Sequence, residues 1–287
     1  MNFKCIFSKR FIIGFGELAV LLFAISCAPT EPKKETTTTT PTETVVESSV
    51  KEIPYTVIAT QPHDANAFTE GLLFYKHQLF ESTGATTDLP QTKSLFGIVD
   101  VKTGAIKAKA ELDKNIYFGE GITILKDKVY QVTYKNQLGF IYNTKNYQRI
   151  GQFNYANREG WGLTNDGTYV IMSDGTSDLT YFNTDGMTVY KTLSVSNNGY
   201  IEEYLNELEF INGFIYANVW LKNYIVKINP ADGIIVGIIN LDNVVAQEKA
   251  SNFNAKELNG IAFDAETDKI LVTGKMWENI YHIDFKH

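Results

Sequence analysis

Cysteine is scarce in this chain: Cys5 and Cys27 are the only two among 287 residues, and both precede residue 28. The long remainder can therefore form no disulfide, offers no thiol nucleophile and holds no thiolate-bound metal. Histidine is nearly as rare. The four, His63, His77, His282 and His287, have none of the spacings by which imidazoles share a metal, so neither a metal nor a cofactor is expected. Positive charge is in deficit too. Lys and Arg number 26 against 33 Asp and Glu, a formal charge of −7, and no basic cluster follows Lys34. A phosphate backbone needs a basic face, so a nucleic-acid partner is excluded. Long apolar runs are limited to residues 11–25, which fall short of the roughly 20 residues of a spanning helix and carry Glu17.

That one run has a targeting character. Lys4, Lys9 and Arg10 precede it, and Ser26-Cys27 follows where a signal peptide is cleaved. The segment resembles a bacterial lipoprotein signal. The resemblance implies that residues 1–27 are a signal peptide with Cys27 as the lipidation site, and that the protein is exported to the cell envelope and held at a membrane by a lipid anchor. Residues 28–52 are rich in Thr, Pro, Glu and Lys. Such a composition cannot bury enough apolar area to offset the entropy of ordering, and it reads as a flexible tether.

Aromatic residues, by contrast, are plentiful, with 16 Tyr and 18 Phe, and from residue 53 onward the chain is strand after strand. One stretch organises it. FGEGITILKDKVYQVTY, residues 118–134, places a carboxylate between two glycines, opens a strand, turns at Lys-Asp-Lys and runs back to an aromatic. The pattern recurs as FTEGLLFYKHQLFESTG from Phe68, WGLTNDGTYVIMSDG from Trp161, LNELEFINGFIYANVW from Leu205 and LNGIAFDAETDKILVTGKMW from Leu258. Each is two β-rich runs around a short polar turn, which predicts an antiparallel hairpin. Between them lie second hairpins that turn at Thr103-Gly104, Lys145-Asn146, Asp185-Gly186 and Asp232-Gly233, and a truncated NIYHIDF at the end.

Four-stranded units of about 40 to 55 residues are the sequence signature of propeller blades. The last unit lacks a strand, while IPYTVIAT, residues 53–60, is a strand without a partner. The expectation is an all-β, five-bladed β-propeller over residues 53–287, its last blade closed by the N-terminal strand.

In such a ring the start of each first strand and the end of each second strand lie side by side at one mouth of the channel. The repeats bring Glu70, Glu120, Trp161, Asn206 and Asn259 to the first position, and Gly84, Tyr134, about Asp174, Trp220 and Lys275 to the second. A purely structural repeat would keep one residue type there. Carboxylates, a lysine, amides and large aromatics instead suggest a site, although propeller mouths also collect polar strand ends for structural reasons alone.

The motifs FTEG, FGEGIT, LNELEFINGFIYANVW, LNGIAF and VTGKMW resemble those of the plant-type glutaminyl-peptide cyclotransferases, also called glutamine cyclotransferases, across residues 54–285. The resemblance implies a five-bladed propeller that works without a catalytic metal on peptides or proteins with an N-terminal glutamine, converting it to pyroglutamate with release of ammonia. It implies Glu120, Lys275 and Asn206 as catalytic residues and Phe68, Glu70, Phe118, Tyr134, Trp161 and Trp220 as substrate-binding residues. Tyr134 stands where tryptophan is usual in the family.

The chemistry asks for such groups. The substrate's α-amine attacks its own γ-carboxamide carbon, and the departing nitrogen must gain a proton; one carboxylate, Glu120, can take the first proton and deliver it to the second nitrogen. Lys275 and Asn206 are candidate donors to the oxyanion. An aromatic cage of Trp161, Trp220 and Phe118 would hold the folded-back side chain and exclude water, with Glu70 at the amine. Two other readings stay open on the residues: a non-catalytic cell-envelope propeller that binds a peptide or glycan, and a calcium-dependent lactonase-type propeller, against which a lysine in the ring weighs.

Overall fold

Two-residue turns with both central residues at positive φ set the geometry of three inner hairpins, those of the first, second and fourth blades. In the computed structural model, which describes residues 50–287, Lys76 and His77, Lys126 and Asp127, and Asn212 and Gly213 all have φ between 47° and 87°. That is the backbone of the tight turn whose twist matches paired strands. The expected signal peptide, Cys27 and most of the tether lie outside the described residues.

Strand β1 (Tyr55–Pro62) comes first. The first blade is β2 (Thr69–Tyr75), β3 (Gln78–Thr83), β4 (Leu95–Val99) and β5 (Ile106–Glu111), and the second is β6 (Gly119–Leu125), β7 (Lys128–Thr133), β8 (Leu138–Asn143) and β9 (Arg149–Asn154). The third is β10 (Leu163–Asn165), β11 (Tyr169–Met172), β12 (Asp178–Asn183) and β13 (Val189–Ser194). A small hairpin, β14 (Ser196–Asn197) and β15 (Tyr200–Ile201), leads to the fourth blade, β16 (Leu205–Ile211), β17 (Phe214–Val219), β18 (Tyr224–Ile228) and β19 (Ile235–Asn240). A single helix α1 (Asp242–Ser251) precedes β20 (Leu258–Asp264), β21 (Lys269–Gly274) and β22 (Asn279–Phe285).

The described residues thus form a five-bladed propeller, all-β apart from α1. Strand β1 pairs antiparallel with β22, from Tyr55 opposite Phe285 to Pro62 opposite Asn279, and completes the fifth sheet. The ends of the ring are joined and the open edge of the last blade is covered. His63, just past β1, locks this closure: its Nδ1 is 2.8 Å from Trp277 O in the fifth blade and its Nε2 3.0 Å from Glu81 in the first. Burial pulls the imidazole pKa down, but the charge and hydrogen bond of Glu81 outweigh that and raise it above the usual value.

The ordered body reaches further toward the N-terminus than the sequence suggested. Val50–Glu52 were read as the end of the tether, yet Glu52 bridges Ile238 in parallel and Lys51 O accepts from Ile238 N at 3.0 Å. Buried Ile53 and partly buried Val50 anchor this stretch on apolar clusters of the fourth blade, which compensates for its polar neighbours.

Apolar side chains on facing sheets fill each gap between blades. One such layer sets Phe80 and Phe96 of the first blade against Ile122, Val129 and Phe140 of the second. Glycine permits closer contact at the channel. A Cβ on Gly121 would lie 2.4 Å from Leu163 N, and one on Gly162 2.1 Å from Asn206 O, so side chains here would force the inner strands apart. The fourth blade has Glu207 at this position instead. Its carboxylate spans the channel to accept from Leu72 N at 3.2 Å and Ile261 N at 2.8 Å, joining three blades. Burial and neighbouring Glu209 hold its pKa well above the ordinary carboxylate range.

Candidate active site

Register shifts deliver the mouth residues. Each of four inner hairpins carries a bulge at the start of its first strand, between Thr69 and Gly71, Gly119 and Ile122, Leu205 and Leu208, and Leu258 and Ile261. Bulges re-aim side chains; these contain Glu70, Glu120, Asn206 and Asn259. The ends of the second strands sit beside them, tied by Tyr134 N to Phe118 O at 3.0 Å, Trp220 N to Tyr204 O at 2.8 Å and Lys275 N to Glu257 O at 2.9 Å. All nine site residues expected from the sequence, Phe68, Glu70, Phe118, Glu120, Tyr134, Trp161, Asn206, Trp220 and Lys275, line one cavity of about 740 Å³.

Its floor is charged and buried. Lys275 Nζ donates to Glu70 Oε1 at 2.7 Å, with side chains 7% and 2% exposed. Asn259 Nδ2 donates to Glu70 Oε2 at 3.1 Å and to Thr69 O at 3.0 Å. The Glu120 carboxyl lies close enough to Glu70 for each to perturb the ionisation of the other. Two carboxyls this close do not both ionise. Burial first, and then the charge of Glu70, push Glu120 well above the ordinary carboxylate range. Burial also raises Glu70, against the pull of Lys275. Burial would lower Lys275, but the two glutamates opposite it hold it above its usual value. Of the two carboxyls, Glu120 is raised further, and Glu70 is the one paired with Lys275.

Asn206 stands apart from this network. Its carboxamide makes no hydrogen bond among the described residues, and its Oδ1 is buried. A buried amide left free costs stability unless something else pairs with it, so it is available to a ligand.

Two aromatic walls rise from the floor. Phe118 packs against Phe68 and Tyr134, both at 5.9 Å between centroids, and Trp220 against Trp161 and Tyr204, also both at 5.9 Å. The Lys275 ammonium lies 4.7 Å from the Phe68 ring centre and the Lys135 ammonium 4.4 Å from that of Tyr134. Glu159 fixes the second wall by accepting from Trp161 Nε1 at 3.0 Å. Two glycines leave room for the rings: a Cβ on Gly84 would fall 2.1 Å from Phe118, and one on Gly175 2.6 Å from Trp161. This explains why the first blade has glycine, Gly84, at the position where the second, fourth and fifth blades have Tyr134, Trp220 and Lys275.

Sequence reasoning missed Glu159, Tyr204, Arg158, Lys256 and Glu257 in the lining. They lie on connections between blades, where the repeats do not align. It placed Asn259 at the mouth without a role; the structure makes it a ligand of Glu70.

Comparison with known proteins agrees with this geometry. A family model described as glutamine cyclotransferase matches residues 20–285. A curated Arabidopsis thaliana protein named glutaminyl-peptide cyclotransferase is 39% identical over 232 residues, 80% of this chain and 71% of that one. Among solved structures, the glutaminyl cyclase of Myxococcus xanthus matches 83% of this chain and 98% of its own, with a TM-score of 0.74 and 30% identity.

Proposed function

The chain belongs to the glutamine cyclotransferase family, and from that premise we propose that it cyclises the N-terminal glutamine of peptides or proteins to pyroglutamate, with Glu120 as the proton carrier and no metal. The observation that carries this reading is the buried cluster of Glu120, Glu70 and Lys275, with Lys275 Nζ 2.7 Å from Glu70, set at the bottom of an aromatic cavity.

The neutral α-amine of the substrate attacks the γ-carboxamide carbon; a carbon–nitrogen bond forms and the carboxamide oxygen takes up negative charge. Lys275, which still has two N–H groups free beyond Glu70, and the uncommitted carboxamide of Asn206 stabilise that oxygen. Glu120 gives its proton to the departing nitrogen, which leaves as ammonia. The resulting carboxylate then takes the proton from the new ring nitrogen, so the enzyme returns to its starting state. Sequence reasoning has Glu120 accept first and donate second. The ionised Glu70 beside it reverses this order, because a carboxyl that rests protonated acts first as an acid.

Glu70 itself is committed to Lys275 and Asn259. Its part is to keep Glu120 protonated rather than to hold the amine. The aromatic walls pack on the glutamine stem and fold it back on its amine, which lowers the entropic part of the barrier. Metal independence is supported by the buried cation of Lys275 at the centre of the ring, and among the described residues no three of His, Cys, Asp or Glu are grouped to hold an ion.

Incubation of the purified enzyme with a Gln-initiated peptide is expected to release one ammonia per blocked N-terminus, at the same rate before and after prolonged chelator treatment. No ammonia from folded protein would refute the activity; inactivation reversed by zinc or calcium would refute the metal-free mechanism.

Gly84→Ala is expected to lower kcat/KM by roughly 10- to 100-fold, since its methyl must displace the Phe118 ring and a shift of about 1 Å suffices for such losses. The change should exceed that of Gly199→Ala, where a Cβ meets nothing within 4 Å at φ +82°. Equal effects on kcat/KM would show that Phe118 does not hold substrate.

Residues 1–27 are proposed to export the protein, with Cys27 lipidated and the propeller held at the cell envelope on the tether that follows. The basic start, the single apolar run and the confinement of cysteine to this segment support it. Cys27→Ser should move the protein from the membrane to the soluble fraction; retention at the membrane would contradict it.

A further inference from the structure

A second cavity opens beside the first. It encloses about 280 Å³ and is lined by Leu221, Lys222, Lys249, Ala255, Lys256 and Glu257 together with Asn223. Lys256 and Glu257 line both cavities, and Leu221 directly follows Trp220 of the aromatic wall. The shared partition is tied to the catalytic floor: Lys256 N donates to Lys275 O at 2.9 Å, Lys275 N donates to Glu257 O at 2.9 Å, and Trp277 Nε1 donates to Lys256 O at 3.1 Å.

The electrostatics of this cavity run against those of the chain. Three lysines face it with one glutamate, in a protein of formal charge −7. Among the described residues, the ammonium groups of Lys222, Lys249 and Lys256 have neither an ion pair nor a hydrogen bond. Asn223 of the lining donates through Nδ2 to Asp242 at 2.8 Å. Lys249 stands in the last turn of α1, where its charge also complements the carbonyl end of the helix. No such reason applies to Lys222 and Lys256.

A peptide with its terminal glutamine in the aromatic cavity must leave through the mouth, and each further residue advances it by about 3.3–3.6 Å. Lys256 and Glu257, which line both cavities, give such a chain a route from the first cavity to the second. We propose that the second cavity is an accessory subsite that binds a carboxylate of the substrate, on the residues immediately after the terminal glutamine. The inference rests on the cyclisation reading above and adds to it a substrate class: peptides acidic just after glutamine. The net charge of the whole protein would by itself repel such peptides, so a preference for them must arise locally.

The test compares kcat/KM for amidated peptides Gln-Ala-Ala-Ala, Gln-Glu-Ala-Ala, Gln-Ala-Glu-Ala and Gln-Lys-Ala-Ala, and for Gln-Ala-Ala with a free C-terminus. At low ionic strength the best carboxylate-bearing peptide should exceed the neutral one by about 3- to 10-fold, mainly through KM, as two or three exposed charge pairs allow. The advantage should fade with salt. In Lys222→Gln/Lys249→Gln the acidic-to-neutral ratio should fall to about one; a ratio is insensitive to any shared loss of folded enzyme. An advantage confined to the free C-terminus would identify the terminal carboxylate as the group bound, while one for Glu at the second or third position identifies a side chain. Turnover of every peptide with neutral or Lys-containing sequences equal or better overturns the subsite and leaves the activity standing. A ratio unchanged in the double variant overturns the assignment to these lysines. Failure to turn over any peptide overturns the underlying cyclisation instead.

Discussion

Glu120→Gln is expected to lower kcat by at least about 100-fold while the melting temperature stays near that of the parent. The Glu120 carboxyl is buried, and burial and neighbouring Glu70 push its pKa well above the ordinary carboxylate range, so in the proposed mechanism it starts protonated beside ionised Glu70. An amide has the same size, so packing and the Glu70–Lys275 pair survive. It cannot give a proton to the departing nitrogen, so the loss falls on kcat, with KM changed little. Thermal melts and steady-state kinetics on the same preparation check both halves. Parent-level turnover by a folded variant would reduce Glu120 to a polar cap on the glycine-flanked bulge.

Lys275→Met should be costly in a different way. Its removal strands Glu70 in a site 2% exposed, and breaking a buried pair costs about 3–5 kcal/mol. Loss of an oxyanion donor should also lower kcat by about 10²- to 10³-fold. The stability deficit should depend on pH. With the lysine gone, the folded pKa of Glu70 rises further above its unfolded value, because Lys275 is what lowers it. The protonated form is then favoured in the fold, so the deficit is smallest in acid and grows as pH rises through and beyond the ordinary carboxylate range. Adding Glu70→Gln should recover much of the melting temperature and none of the turnover, since the two changes share one contact. A variant with the same deficit at every pH would show that Glu70 is not ionised against Lys275.

The blades were legible because each repeat holds its own hairpin: strand, short turn and returning strand are local in sequence, and Asn212-Gly213 or Lys126-Asp127 reveal the turn directly. Closure by β1 followed from simple complementarity, one strand short at one end and one strand spare at the other. The site was legible for a related reason. Equivalent positions in a closed ring face one channel, so Glu70 and Lys275 could be brought together although 205 residues separate them.

What escaped was the detail of pairing. Repeat alignment shows that Glu70, Glu120 and Lys275 share a mouth, but which carboxylate takes the lysine depends on bulges one residue long. Glu207 carried a signal that went unused: it is the glutamate where other repeats have glycine, and it proves to join three blades. Helix α1 was missed because it buries only Val244, Val245 and Glu248, too few for an apolar stripe. Val244 and Val245 join an apolar cluster with the fifth blade, and Glu248 adds a polar hold by accepting from Asn279 Nδ2 at 2.9 Å and Tyr281 OH at 3.0 Å. The docking of Val50–Glu52 was hidden likewise, since its anchoring is largely backbone pairing that any sequence could make.

The central claim is that the floor of the cavity holds a single proton on Glu120 beside an ionised Glu70. The most direct measurement is the infrared absorption of protonated carboxyls at neutral pH, recorded for the parent and for Glu120→Gln and subtracted. A protonated-carboxyl band should be present in the parent and absent from the variant. In Glu70→Gln, where the charge that raises Glu120 is gone while Lys275 remains, this band should disappear at lower pH than in the parent. A difference spectrum with no protonated-carboxyl band at neutral pH would show Glu120 ionised at rest, and would contradict the account.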